Sequence, residues 1–103
     1  MNHKDFTKFL TELQEHQTKV LLGKNAEYAP GEDKLENFKV GARISGKKPQ
    51  EVLWMYALKH LASVMDLVDG KLTYTPELAQ EKLGDLRNYL VLLEALMLEA
   101  HQG

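Results

Sequence analysis

The sequence predicts an all-α protein: a helical bundle with two long antiparallel helices, an N-terminal helix and a short connecting helix. Three observations carry that expectation. Apolar residues recur at spacings of three and four along four segments, the period of a helix face. Pro30-Gly31, Gly46 and Gly70 fall between those segments, where a helix stops. Nothing alternates with period two for long enough to make a strand.

The first segment, residues 5–24, places Phe6, Phe9, Leu10, Leu13 and Val20 at helical spacing with Lys8, Glu12 and Glu15 between them. It reads as an amphipathic helix with one buried stripe that ends before Pro30. The second, 32–45, is short; Leu35, Phe38 and Ala42 share a face and Gly46 offers a left-handed cap. The third, 49–69, opens on Pro49, suited to a first helical position, and has no breaker until Gly70. The fourth runs from Thr75-Pro76-Glu77, a cap, a first-turn proline and a first-turn acid, to about residue 100. Gly84 within it weakens the helix by about 1 kcal/mol against alanine and would let another helix come close. Leu90, Val91, Leu92, Leu93, Leu96, Met97 and Leu98 circle more than one face of 89–100. That pattern wants more cover than one stripe needs, so a homo-oligomer built on this stretch is expected.

The 103 residues suit a single helical domain spanning 1–103. A net charge of −2 gives the molecule no general attraction for nucleic acid. With no cysteine there are no disulfides, thiolate metal sites or thiol nucleophiles, which fits a cytoplasmic protein. The N-terminus lacks a signal-peptide core, and no run reaches the roughly 18 apolar residues of a membrane span. Phosphate-loop, dinucleotide-fold, zinc and nucleophile-triad motifs are absent, so no catalytic residue can be named.

Chemistry concentrates instead on the two long helices. Tyr56, Lys59, Ser63 and Asp66 form one stripe, and Glu81, Asp85 and Asn88 another, inside otherwise apolar stretches. Charges taken out of water need partners. One reading pairs Lys59 with Asp85 or Glu81, with Asn88 bridging, simply to set helix register. The other points these groups into a cleft. There Glu81 and Asp85, four apart, share a divalent cation, while Lys59 and His60 meet phosphate oxygens. Trp54 and Tyr56 read as packing residues, and His3, His16 and His101 as surface ones. The connection GKNAEYAPGEDKLENFK carries Lys24, Glu27, Tyr28, Asn37 and Lys39; it is either a binding loop or a solvated turn docked by Tyr28 and Phe38.

KNAEY, ENFKVGARISG, the KHLASVMD block and EKLGDLRNYLVLLEAL together resemble small phage and prophage proteins. These in turn are similar to the phage nucleotide-modification-associated domain and the MazG-like all-α NTP pyrophosphatases. The resemblance covers about residues 24–96; its most specific part is Gly84-Asp85 with Asn88-Tyr89-Leu90. It implies an oligomeric, nucleotide-handling protein of a bacterial host cell, with magnesium as cofactor and Glu-x-x-Glu and Glu-x-x-Asp pairs as its ligands. Asp85 matches the last acid, but Lys82 stands three before it and Glu81 four before it. The third segment has no Glu-x-x-Glu; Lys59-His60 occupies the middle of that helix. Two expectations follow: a metal-dependent nucleoside-phosphate hydrolase, or a non-catalytic protein that binds a nucleotide, a nucleotide-derived signal or a host protein.

Overall fold

The structure, a computed structural model, describes residues 1–23 and 35–103. Among them are four helices and no strand: α1 His3–Gly23, α2 Glu36–Ser45, α3 Pro49–Val68 and α4 Pro76–Gln102. The chain divides into two compact units, Met1–Glu32 and Asp33–Gly103.

In the first unit α1 begins two residues earlier than its apolar pattern suggests, because Asn2 caps it. The Asp5 backbone N–H donates to Asn2 Oδ1 at 2.8 Å, satisfying one of the amides left open at a helix start. Thr7 and Thr11 turn their hydroxyls back onto the carbonyls of His3 and Thr7. The expected buried stripe is absent: no α1 residue is buried, and Phe6, Phe9 and Val20 are about half exposed. The physical reason is that a lone amphipathic helix has nothing in its own unit to close over it. Phe6 and Phe9 do meet each other, ring centres 6.2 Å apart.

The second unit is built on α3 and α4. Each end of these helices follows from a local signal. Gly46 takes φ 73°, the left-handed conformation that a side chain would strain, and donates its N–H to the Ala42 carbonyl to end α2. Pro49 opens α3, while the Glu51 carboxylate accepts the Lys48 backbone N–H at 3.1 Å. Asp69 and Gly70 (φ 77°) close it. Thr75 Oγ1 then accepts the Leu78 N–H at 3.0 Å and caps α4, with Pro76 first in the helix.

The short connection makes α3 and α4 antiparallel neighbours. Leu53 meets Leu96 at one level, and His60 meets Asp85 and Tyr89 further along. Leu53, completely buried, joins Leu35 and Leu96 as the core, with Phe38, Tyr89, Leu92 and Leu93 packed on it. α2 lies against α3 through small residues. A Cβ built on Gly41 would stand only 3.0 Å from Val52 Cγ1, so glycine is what lets the helices approach. Gly84, expected to serve that purpose, does not: a Cβ there would meet only the Arg87 guanidinium, at 3.7 Å. The all-round apolar character of 89–100 is explained in part within the chain, since Leu92, Leu93 and Leu96 belong to this core.

Candidate functional site

The helix pair defines a seam. Leu53, Ala57, His60, Val64 and Leu67 line it from α3, at spacings of four and three; Lys82, Asp85, Tyr89, Leu92 and Leu96 line it from α4. Stepping back one residue from every seam position turns about 100° and reaches one flank of the hairpin. From α3 that flank carries Val52, Tyr56, Lys59, Ser63 and Asp66; from α4 it carries Glu81, Gly84, Asn88, Val91 and Ala95. α2 sits on this side, with Gly41 against Val52 and the Phe38 ring edge-on to Tyr56 (6.2 Å) and Tyr89 (6.4 Å). The structure therefore brings the polar stripes of the two long helices onto the same flank, beside α2.

At the foot of the flank is an aromatic group. His60 stacks on Tyr89 with ring centres 4.6 Å apart and planes 27° from parallel. Its Nδ1 lies 3.7 Å from Asp85 Oδ2, an ion pair only when the imidazole is protonated. The expected pairing of Lys59 with Asp85 or Glu81 is not found. Lys59 stands one residue off the seam and so turns away, leaving His60 to face Asp85. Glu81 pairs with its neighbour Lys82 at 3.7 Å, and the Lys59 ammonium, exposed, meets no carboxylate among the described residues. Nor is the network buried: among the described residues no polar or charged residue is fully enclosed, and the Asp85 side chain is 45% exposed. The expectation of a costly buried charge cluster is corrected to a half-open one, because Lys59 and Glu81 lie on the flank and Asp85, though in the seam, is only half covered.

Two atoms are exceptions. Asn88 Oδ1 and Arg87 Nε are shielded from solvent and have no hydrogen-bond partner among the described residues. Such groups cost about 1–3 kcal/mol each when left unpaired. Arg87 was not singled out by sequence; its guanidinium lies beside Gly84, with Nη2 3.7 Å from where a Cβ there would stand. Asn88 is on the α2-side flank with Lys59. Ser63 spends its hydroxyl on the Lys59 carbonyl, at 3.3 Å.

Lys24 and Tyr28 lie outside the described residues, as does Glu27. Asn37 and Lys39 prove to be α2 residues: Asn37 is exposed, and Lys39 is tied to Glu99 near the far end of α4. His3, His16 and His101 are exposed, as expected. A groove of about 610 Å³ opens near the C-terminal end of α2, lined by Lys39, Arg43, Lys47 and Glu99 among others. Two of its cations are already paired, Lys39 with Glu99 and Arg43 with Glu36, and none of the candidate residues on the two long helices lines it.

Among the described residues no group of three or more histidine, aspartate or glutamate side chains is placed to hold a metal ion. Asp85 is turned to the seam and Glu81 to the flank, so these two do not by themselves make a magnesium site. No described helix is long and apolar enough to cross a membrane. Fold and flank together define an all-α hairpin protein with an aromatic cluster under a half-open polar face. No protein-family model, curated protein or solved structure matches the chain.

Proposed function

We propose that the α2-side flank of the α3–α4 hairpin binds a phosphorylated nucleotide. The observation that carries the reading is Asn88 Oδ1, a shielded acceptor with no partner among the described residues, on the same flank as a lysine that no described carboxylate meets. An amide is suited to the donor edge of a base or sugar, and an ammonium to phosphate oxygens. In this reading a base stacks on the half-exposed Tyr56 ring, which Phe38 holds edge-on from beside it. The resemblance of the KHLASVMD and EKLGDLRNYL segments to nucleotide-handling phage proteins is what selects a nucleotide among phosphorylated ligands, and it makes a phage protein acting inside a bacterial cell the natural setting.

Binding, not turnover, is the function this residue set supports. Magnesium can be held by two carboxylates and a substrate's phosphates, but Asp85 faces His60 and Glu81 faces Lys82, so the two do not converge on one ion. Calorimetric titration with nucleosides, nucleoside mono-, di- and triphosphates and inorganic phosphate, each with and without magnesium, tests the proposal. Lys59→Ala should weaken the phosphorylated ligands by roughly tenfold to a hundredfold, the worth of a hydrogen bond to a charged group. Lys8→Ala on α1 should leave binding unchanged. Magnesium-dependent phosphate or pyrophosphate release that Asp85→Ala abolishes would extend the reading to hydrolysis. No heat and no thermal shift with any of these ligands would remove it and leave a protein partner as the remaining role.

A further inference from the structure

Stepping forward one residue from each seam position, instead of back, reaches the opposite flank of the hairpin. From α3 it carries Trp54, Leu58, Leu61, Met65 and Val68; from α4, Leu83, Leu86, Leu90, Leu93 and Met97. All ten are large and apolar, and no charge interrupts them. On a hairpin that ends its burial at the seam, the outer positions of this flank would be polar. Here they are not, and they are open: the five α3 residues are 36–79% exposed, and Leu83, Leu90 and Met97 are 37–54% exposed. α2 cannot reach them, because it lies on the other side, against Val52, Tyr56 and Tyr89.

We infer that this flank is the surface on which a second copy of the chain docks, two hairpins closing into a four-helix bundle about a two-fold axis. Three features choose a second copy. The exposed residues amount to on the order of 700 Å² of apolar surface if such side chains carry roughly 150–250 Å² each, close to what one partner contributes to a standard interface. The α3 residues repeat at spacings of four and three, as do Leu83, Leu86, Leu90, Leu93 and Met97 at three and four, so each helix offers the ridge that an antiparallel helix of the same kind fits. An uncharged face is also complementary to itself, which a two-fold interface requires and a charged partner would not favour. The surface is independent of the proposed nucleotide flank, since the two lie on opposite sides of the seam.

Leu90 and Val91 make the test sharp. They are adjacent, each 44% exposed, and 100° apart: Leu90 is on the apolar flank, Val91 on the other. Light scattering on the full chain at tens of micromolar should give about twice the 11.7 kDa chain mass. Leu90→Glu should reduce it to the monomer with helicity retained by circular dichroism, while Val91→Glu should leave the dimer intact. Trp54, the single tryptophan, lies on the flank and reports without mutation. In the dimer it should be protected from acrylamide quenching, and in Leu90→Glu exposed. A monomeric wild-type chain overturns the inference, even with Trp54 shielded, since cover would then come from within the chain. So does a dimer that survives Leu90→Glu or dissociates in Val91→Glu. Should Leu90→Glu unfold, free quenching of Trp54 in the wild-type dimer overturns the inference and protection supports it.

Discussion

Two glycines, one on α2 and one on α4, should respond oppositely to the same substitution. Alanine in place of a mid-helix glycine gains about 1 kcal/mol of helix propensity. At Gly84 nothing offsets that gain, because the added Cβ meets only the flexible end of Arg87, at 3.7 Å. Gly84→Ala should therefore stabilise the second unit by about 1 kcal/mol. At Gly41 the added Cβ arrives 3.0 Å from Val52 Cγ1, inside the roughly 3.5–4.0 Å of a comfortable carbon contact. Valine is stiff at χ1 and cannot swing aside, so the strain falls on the α2–α3 contact. Overpacking of this kind costs about 1–3 kcal/mol, so after the propensity gain Gly41→Ala should destabilise by up to about 2 kcal/mol. The two variants should differ by about 1–3 kcal/mol, or several degrees and more in melting temperature for a domain this size. Urea unfolding followed by far-UV circular dichroism measures both. Adding Val52→Ala to Gly41→Ala should recover part of the loss through a coupling of about 1 kcal/mol. Equal stabilisation by the two alanines would refute the close approach of α2 to α3.

Two further variants probe the capping and the flank. Thr75→Ala removes the hydroxyl that holds the Leu78 N–H and should cost about 1 kcal/mol of stability by chemical unfolding, with Thr75→Asp restoring most of it. Asn88→Leu replaces a shielded, unpartnered acceptor by an apolar group and should stabilise the free protein by about 1–3 kcal/mol while weakening nucleotide binding. A thermal shift measured on both forms checks it, and a loss of stability in the free variant would mean that Asn88 already has its partner.

The helix ends were legible in the sequence because each is a local signal: Gly46, Pro49, Gly70 and Thr75-Pro76 act where they stand. The stripes were legible too, since periodicity belongs to one helix at a time. What could not be read was the rotation of α3 and α4 about their axes. An error of one residue turns a helix by 100°, which is the whole difference between Lys59 and His60 facing Asp85. The Asn2 cap was missed because the apolar pattern starts only at Phe6, and Gly41 because its neighbour lies on another helix.

That rotation also reverses which stripe is covered. Sequence reasoning sends apolar stripes inward and treats polar residues among them as buried exceptions. Here the seam runs through Leu53, Ala57 and His60, and a hairpin with one seam still has two flanks. α2, ten residues long, can lie on only one, and the ring contacts of Phe38 with Tyr56 and Tyr89 put it on the polar side. Placing it there roofs one end of the flank that holds Lys59 and Asn88 and leaves the rest open to a ligand. Eight of the ten apolar residues opposite stay open within this unit, from Trp54 and Val68 on α3 to Leu83 and Met97 on α4, while Leu86 and Leu93 are half-buried. The hydrophobic effect gives that flank no reason to be apolar unless something covers it. The absence of charge at the flank's ten positions, the matched spacing of its ridges and an area suited to one half of an interface all point the cover to an identical hairpin.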